Sequence, residues 1–555
     1  MYMKKNKVII FIGIFSLVLL SFFQEEETSD RFEIGKNLDI FTQLYKEVNK
    51  TYVEGTQPGD LMKTGIDAML ESLDPYTIYY PESDIERYKL MTTGQYGGIG
   101  ARIRRIDDFV VIGEPYKGFP AHKAGLKAGD IILKVDGNSV KGKTTSDLSK
   151  ILKGNPGTGL TVLIQRPGID KEFEITFNRE KVQIKSVPYF GMLNNDVGYI
   201  KMTSFTRNVS KEVKDAFFEL KKKNIKSLVF DLRGNPGGLL HEAIKTVELF
   251  INRGQNILES RAKISEWTDT YKTVNSPIDK NIEIVFLVDG GSASASEIVS
   301  GVMQDFDRAV ILGRRSYGKG LVQVTRKLKY NTSIKITKAK YYLPSGRCIQ
   351  AIDYSKRDDR GNPIKTPDSL LTKFKTRNGR DILDASGISP DITVSKATYS
   401  ETAIALVSNN IIFNFATQYV LKHDSIVPAE QFFLTNEEYT EFINFVGQKQ
   451  YNFETKTDKG LEYFKMKAKK EGVIDEIKSD LDNIENKLKA SKKSQLINDK
   501  VQIKKLLEIE IAGRYYLQEG KIKNRLSRDP DVERAIEILH DKTLYSSILS
   551  GQPIK

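Results

Sequence analysis

Cysteine is almost absent from this chain of 555 residues, which contains a single one, Cys348. One thiol cannot form an intramolecular disulfide framework, nor can it supply the ligands of a cysteine-rich zinc site. Histidine is scarce as well, with four residues in all: His122, His241, His423 and His540. Blocks of one charge sign are also lacking, because 85 Lys and Arg are interleaved with 72 Asp and Glu despite a net charge of +13. That interleaving argues against nucleic-acid binding.

The longest apolar run lies at the N-terminus, over residues 8–23, between three lysines and three glutamates. A positively charged start followed by an apolar stretch is typical of an export signal. The run is shorter than the roughly 20 residues that a comfortable membrane span needs, and no small-x-small cleavage site is evident near its end. Residues 1–24 are therefore predicted to be a cleaved export signal or a retained inner-membrane anchor. In both cases the lysines favour the cytoplasm, so the remainder is predicted to be exported to the periplasm or cell envelope.

The rest of the chain has the composition of folded protein, and it is too long for a single core. Residues 31–93 show helical spacing of apolar side chains, and residues 94–185 contain short β-like runs and one short helix. Strands and helices then alternate over residues 186–398, as in an α/β core with parallel strands. The predicted fold class is thus α/β, or multi-domain α+β, with a β-rich module inserted before the core. Residues 399–555 are predicted to form a helix-rich C-terminal domain.

An apolar stripe recurs at helical spacing in this last region. Ile474, Ile477, Leu481, Ile484 and Leu488 follow one another at intervals of three and four residues. Such a stripe needs a partner surface. Packing against its own domain and pairing in a homodimer through the C-terminal helices are the two interpretations, and the pattern lasts only about two heptads.

A turn between a buried-type strand and a helix carries the clearest chemical signal. The apolar run 284–288 leads into Gly290-Gly291-Ser292-Ala293-Ser294-Ala295-Ser296-Glu297 and then into a predicted helix. A serine on such a turn can act as a nucleophile, because the helix N-terminus and its free N–H groups stabilise an oxyanion. The structural alternative is that these serines only cap the helix.

A nucleophilic serine needs a base. His241 follows a glycine-rich turn in the predicted core, so a Ser-His hydrolase such as an esterase stays open. Lysine is the other documented base, and Lys319 lies in Gly318-Lys319-Gly320 on a turn between two predicted strands. A lysine acts as a base near neutral pH only if burial lowers its pKa, so Lys319 is expected to be buried against the serine.

Eight stretches together resemble the C-terminal processing, or tail-specific, peptidases and occur in the family's order between about residues 35 and 395. They are residues 72–80, 96–100, 124–132, 231–238, 292–297, 317–323, 342–347 and 387–391. The resemblance implies a serine endopeptidase that cleaves exported proteins near their C-termini without a metal or organic cofactor. Two departures are that Arg233-Gly234-Asn235 replaces the more usual Arg-Asn-Asn, and that no clear motif follows residue 398.

The same resemblance implies a role for individual residues. Ser294 corresponds to the nucleophile, Lys319 to the general base, and Gln323 to the residue that orients this lysine. The implied oxyanion hole consists of backbone N–H groups of Ala295 and of a glycine in the Pro-Gly-Gly turn, Gly238 rather than Gly237.

Residues 94–185 resemble a PDZ domain. The implied carboxylate-binding loop comprises Tyr96, Gly97, Gly98, Ile99 and Gly100. A substrate C-terminus would add as a strand beside Ile99–Ile103, with its last side chain near Leu148. The implied partners are proteins with apolar C-termini. A non-catalytic PDZ scaffold of the cell envelope is the alternative from another functional class.

Overall fold

The structure, a computed structural model, describes residues 31–395, 398–448 and 453–551. The predicted export signal or anchor at residues 1–24 lies outside them. Among the described residues, no single helix is both long and apolar enough to cross a membrane. One pair of helices, Glu401–Ser408 and Ile411–Lys422, reaches the required length and composition only jointly, and it is bent by 65° at the break between them.

The chain divides into two units, residues 1–79 and residues 80–555. The first contains helix α1 over residues 31–51 and helix α2 (Pro58–Glu71), and strand β1 (Ile78–Tyr80) spans the division. Asp74 stops the helical course after α2, because its carboxylate accepts hydrogen bonds from the amides of the two residues that follow Pro75. Together with α3 (Ile85–Thr93), these helices confirm the helical texture predicted for residues 31–93.

The predicted β-rich module folds as one small sheet domain. Its elements are β2 (Gln95–Gly98), β3 (Ala101–Ile106), β4 (Phe109–Pro115), α4 (Pro120–Lys123), β5 (Ile131–Val135), β6 (Asn138–Ser139), α5 (Thr145–Leu152), β7 (Gly159–Gln165), β8 (Phe173–Asn178) and β9 (Glu180–Gln183). Strands β3, β4, β5, β7 and β8 form an antiparallel sheet in that order, while β2 pairs with β9. Strand β3 is therefore an edge of this sheet. The helix predicted at residues 145–152 is confirmed as α5, which begins with a capping box between Thr144 and Asp147.

A six-stranded sheet forms the centre of the α/β core. Its elements and the helices that follow them are β10 (Tyr189–Met192), β11 (Val197–Lys201), α6 (Val209–Lys221), β12 (Ser227–Asp231), α7 (Leu240–Glu248), β15 (Glu283–Val288), α8 (Ala295–Asp305), β16 (Val310–Gly313) and β23 (Ile392–Thr393). The strand order is β10-β11-β12-β15-β16-β23, and all neighbours except β10 and β11 are parallel. The predicted parallel α/β core is thus confirmed.

Both faces of this sheet are covered, which explains why its strands are continuously apolar. Phe230 and Phe286 point to the face packed by α6, α7 and α8, whereas Val229 and Leu287 point to the opposite face. That second layer is supplied by α15 (Pro530–His540) and α16 (Lys542–Ser550) from the end of the chain.

Smaller antiparallel sheets flank the core. Their strands are β13 (Asn256–Ala262), β14 (Asp269–Lys272), β17 (Leu321–Lys327), β18 (Ser333–Tyr342), β19 (Ile352–Arg357), β20 (Pro363–Lys365), β21 (Lys373–Lys375) and β22 (Asp381–Leu383). Strand β18 lies between β13 and β17, while β19 pairs with β20 and β21 with β22. The long pairing of β17 with β18 places the strand that follows Lys319 in a fixed register.

The remaining helices build a separate core. They are α9 (Glu401–Ser408), α10 (Ile411–Lys422), α11 (Asn436–Val446), α12 (Lys456–Glu471), α13 (Lys478–Asn498) and α14 (Lys500–Leu526). Residues 399–555, predicted as one helix-rich domain, therefore divide between this helical core and the second layer of the sheet. Within the stripe, Leu481 is buried inside the chain whereas Ile484 stays 44% exposed, so packing against its own domain accounts for only part of it.

Arginine and phenylalanine side chains join the β-rich module to this helical core. The guanidinium carbon of Arg104, on β3, lies 3.9 Å from the centre of the Phe413 ring, and that of Arg514 lies 4.0 Å from it. Arg104 also donates a hydrogen bond to Asn410. Such cation–π contacts strengthen where they are desolvated, and burial lowers the pKa of Arg514 to about 10. The edge strand β3 is thereby held against α10.

Replacement of Ile538 by alanine is expected to lower the free energy of unfolding by about 2 to 5 kcal/mol, because this side chain is fully buried between α15 and the central sheet. Urea denaturation followed by circular dichroism measures the change. Ile497→Ala, at a residue 57% exposed, is the matched control and should cost less than about 0.5 kcal/mol. Equal effects in the two variants would show that α15 does not stabilise the sheet.

Candidate active site

Ser294 occupies the turn between β15 and α8. Its φ of 55° lies in the left-handed region, which a non-glycine residue adopts only when its surroundings compensate. The neighbouring serines have structural roles: Ser292 donates its hydroxyl to the carbonyl of Leu232, and Ser296 donates its own to the carbonyl of Asn235. Both bonds tie this turn to the turn after β12. Of the three serines, Ser294 is the one that is partly exposed rather than buried.

One buried carboxylate joins the Ser294 turn to the Lys319 turn. Oε2 of Glu297 accepts hydrogen bonds from the amide of Ser294 at 2.7 Å and from the amide of Lys319 at 2.9 Å. Its Oε1 accepts from the amide of Gly318 and from the hydroxyl of Ser316. The two amide nitrogens of Ser294 and Lys319 therefore lie no further apart than those two bond lengths together. Folding thus brings the backbones of Ser294 and Lys319 close together.

Burial and hydrogen bonding act on the pKa of Glu297 in opposite directions. Burial raises the pKa of its carboxyl, and the hydrogen bonds from Ser316 and from the amides of Lys319, Gly318 and Ser294 oppose that rise. All four groups donate, so both carboxylate oxygens are used as acceptors. Glu297 is a positioning residue that the sequence analysis did not assign.

Tyr341, on β18, forms a second link between the two turns. Its hydroxyl donates to the carbonyl of Lys319 at 2.8 Å and lies 3.3 Å from the carbonyl of Ser294. The side chain is fully buried, which raises the pKa of Tyr341 well above its usual value and keeps the hydroxyl a donor. The backbone on both sides of the candidate dyad is therefore fixed by side chains from other elements.

Gln323 lies on β17, four residues after Lys319, and is half-buried. Its amide nitrogen donates to the hydroxyl of Thr337 on the paired strand β18 at 3.2 Å. That bond restricts the orientation of the Gln323 side chain next to the Lys319 turn.

The glycine turn after β12 lies directly against the Ser294 turn. A side-chain carbon placed on Gly237 would come within 2.9 Å of both the Ala295 amide nitrogen and the Ser294 β-carbon, so only glycine fits here. The amide of Gly237 already donates to Asn235 at 2.9 Å. Within the described part of the chain, the amides of Gly238 and Ala295 donate to no other residue. Gly238 and Ala295 thus offer N–H groups beside Ser294.

A cluster of ion pairs anchors the glycine turn after β12. Arg233 pairs with Asp231 at 2.7 Å and with Asp529 and Asp531, at the start of α15, at 2.8 Å each. Lys201 also contacts Asp231 at 3.0 Å. Burial alone would raise the pKa of Asp231, but Lys201 and Arg233 hold it well below its usual range. The C-terminal helices therefore anchor the turn that carries the candidate oxyanion glycines.

The four histidines make their contacts elsewhere. His241 is exposed and lies 3.5 Å from Glu242, whose carboxylate accepts hydrogen bonds from Ser210 on α6. His122 accepts from a backbone amide in the β-rich module, His423 stacks on Tyr419, and His540 lies 3.1 Å from Asp196. In the described residues no hydrogen bond joins a histidine to the Ser294 turn.

The candidate peptide groove of the β-rich module runs along the free edge of β3. Helix α5 packs against β3, so an added strand would lie between them. Gly97 is required there, because a side-chain carbon would lie 2.1 Å from the carbonyl oxygen of Gly154. The ring of Tyr96 lies beside Lys153, and burial raises the pKa of its hydroxyl. Leu148 is fully buried in the module's core, so the groove as it stands does not expose the side chain expected to contact the ligand.

A parallel α/β core with a serine at a strand-to-helix turn, preceded by a small antiparallel module, is the architecture of a serine peptidase with a peptide-binding domain. The profile of Peptidase family S41 matches residues 196–355, and that of the PDZ domain matches residues 111–166. The profile of the C-terminal helical domain of a probable PDZ-protease matches residues 402–539.

Individual relatives agree with these profiles. A carboxy-terminal-processing protease of Bartonella bacilliformis is 34% identical over 353 residues, which are 62% of this chain and 81% of that protein. A probable CtpA-like serine protease of Staphylococcus aureus is 35% identical over 316 residues, which are 56% of this chain and 62% of that protein. The match thus spans somewhat less than two thirds of the Staphylococcus relative. Among solved structures, the photosystem II D1 C-terminal processing protease is 26% identical, with coverage of 65% of this chain and 93% of that one and a TM-score of 0.35. The chain belongs to the C-terminal processing peptidases of family S41 and contains a PDZ domain.

Proposed function

We propose that this protein is a serine endopeptidase that cleaves exported proteins near their C-termini with Ser294 as nucleophile and Lys319 as general base. The observation that carries the proposal is the single oxygen of Glu297 that accepts the amides of both residues. Both donors are backbone amides, so this oxygen places the residues that carry the hydroxyl and the amine on adjoining turns. Export to the cell envelope, with residues 1–24 as signal or anchor, is part of the proposal.

The chemistry is acyl transfer. Neutral Lys319 takes the proton of Ser294 as its oxygen attacks the scissile carbonyl, and Gln323 orients the amine. The N–H groups of Ala295 and Gly238 donate to the oxyanion that develops. Lys319 then gives its proton to the leaving amine, and later activates the water that hydrolyses the acyl-enzyme. The substrate is delivered by the PDZ domain, where its C-terminus adds to the free edge of β3.

Cleavage of an unstructured protein with an apolar C-terminus tests the proposal. The wild-type chain is expected to cut it, and amidation of the substrate's terminal carboxylate should lower kcat/KM about tenfold, because the loop after Tyr96 then loses a charged acceptor. Fragments are followed by mass spectrometry over time.

Two variants separate the alternatives in the same assay. Ser294→Ala should leave no cleavage, whereas His241→Ala should cleave at the wild-type rate. Loss of activity in His241→Ala as well as in Ser294→Ala would favour a Ser-His hydrolase. Binding of the substrate without cleavage by the wild-type chain would favour a PDZ scaffold.

A further inference from the structure

A cavity of about 970 Å³ lies between the catalytic core and the C-terminal helices. Its core side is formed by the carboxyl ends of three neighbouring parallel strands, at Arg233 after β12, Asp289 after β15 and Arg314 after β16. Its other side is formed by α14 and by the first residues of α15. We call this cavity the basic groove.

Basic side chains outnumber acidic ones in the basic groove. The basic residues are Arg233, Arg314, Arg315, Lys505, Arg525 and Arg528, against three aspartates. All three aspartates are already engaged. Asp529 and Asp531 pair with Arg233, and Asp531 also pairs with Arg314. Asp289 accepts hydrogen bonds from the amides of two glycines. Arg528 pairs with Glu508 and Arg315 with Asp368, both outside the lining, so these basic side chains are engaged as well.

Lys505 and Arg525 are the basic side chains of the groove that remain for a ligand. Both lie on α14, and within the part of the chain that the structure describes neither has a carboxylate at ion-pair distance. Arg525 is exposed and Lys505 is half-buried. Between the charges lie apolar side chains that reach solvent, including Tyr399, 48% exposed, and Val501, 70% exposed. Cationic groups interspersed with apolar ones suit an acidic polypeptide segment that also carries apolar side chains.

The basic groove adjoins the candidate active site. Gly290 and Gly291 line it, and Gly291 precedes Ser294 by three residues. Three residues span at most about 11 Å of extended chain. The Gly291 end of the groove therefore lies within reach of about three extended residues of a polypeptide bound at Ser294.

We propose that the basic groove binds an acidic segment of the polypeptide substrate and so selects substrates with Asp or Glu close to the cleavage site. The inference rests on the proposed function, since the occupant is the chain being cut. It adds a second determinant of specificity, independent of the substrate C-terminus that the PDZ domain would hold.

Three matched substrates with the same apolar C-terminus test the inference. One has neutral residues around the cleavage site, one has three acidic residues starting three positions before it, and one has them starting three positions after it. The wild-type chain should show a kcat/KM about tenfold higher for one acidic substrate than for the neutral one, an advantage that falls as salt rises. In Lys505→Glu with Arg525→Glu the ratio should fall to one or below.

Lys504→Glu is the control for charge reversal on α14: it makes half of the double variant's charge change, at a residue that does not line the groove. It should keep the wild-type ratio. Equal kcat/KM for all three substrates in the wild type would overturn the inference while leaving the proposed function intact.

A binding experiment distinguishes a failure of the groove proposal from a failure of the proposed peptidase function. In a Ser294→Ala background, fluorescence anisotropy of the acidic substrate should show a Kd about tenfold weaker after Lys505→Gln with Arg525→Gln. An unchanged Kd in this double variant would overturn the groove proposal, whether or not cleavage is seen. A weaker Kd, combined with no cleavage by the wild-type chain, would overturn only the proposed peptidase function.

Discussion

Replacement of Lys319 by alanine is expected to lower kcat/KM by about four to six orders of magnitude, as much as Ser294→Ala does. The two residues act as one unit, because the serine is not a nucleophile until its proton has been taken, so removing either member removes the whole effect. Their backbones are bound to the same Glu297 oxygen, so neither variant is expected to move the other residue. Peptide cleavage measured over long incubations, together with the double variant, checks the equality.

Lys319→Arg sharpens this test. An arginine supplies a positive charge and hydrogen-bond donors, but it cannot give up a proton in a protein. It should therefore be as inactive as Lys319→Ala. Lys327→Ala, on the exposed end of the same strand β17, should retain wild-type activity. If Lys319→Arg kept a tenth or more of the wild-type rate, the lysine would act through its charge and not as a base.

The strands of the core could be predicted because the central sheet is covered on both of its faces. Strand β15 is fully apolar from Ile284 to Val288, a pattern that arises only where a strand is covered on both faces. The turn after it, with glycines before a serine, marks a strand-to-helix junction. The apolar strand and the glycine-serine turn that follows it therefore predicted both the parallel sheet and the candidate nucleophile.

The residues that bring Ser294 and Lys319 together could not be predicted in the same way. Glu297 stands three residues after Ser294, where a glutamate is expected simply as part of a capping box. Its other partners, Ser316 and Gly318, follow 19 and 21 residues later and lie on a different strand connection. Nothing in the spacing distinguishes a capping glutamate on the surface from one that is fully buried between two turns.

The contact between α15 and the central sheet could not be predicted either, because the two are far apart in the sequence. Val532, Ala535, Ile538 and Leu539 repeat at helical spacing, which predicts an apolar face but not what covers it. The ion pairs of Arg233 join it to residues 296 and 298 positions later in the chain. Helix amphipathicity identifies a buried face, whereas only the tertiary structure identifies α15 as a wall of the catalytic core.

Glu297→Gln is expected to lower kcat about 100-fold with little change in KM, because a shift of about 1 Å between nucleophile and base is enough to cost that much. The carboxylate uses both oxygens as acceptors, two donors on each. A glutamine keeps one acceptor and turns an NH₂ group either toward the amides of Ser294 and Lys319 or toward the Gly318 amide and the Ser316 hydroxyl. One of the two turns must then move away, and the Ser294 and Lys319 backbones lose their common anchor.

A purely structural role for Glu297 would lower stability without changing the chemistry of the folded fraction. The discriminating measurement is the rate at which a small serine-reactive fluorophosphonate acylates folded enzyme, which depends on activation of Ser294 and not on substrate binding. Glu212→Gln is the matched control, because that half-buried carboxylate accepts the amide of Val187 on the far side of α6. Acylation should slow about 100-fold in Glu297→Gln and stay unchanged in Glu212→Gln. Wild-type acylation by folded Glu297→Gln would mean that Tyr341 alone is sufficient to align the two turns.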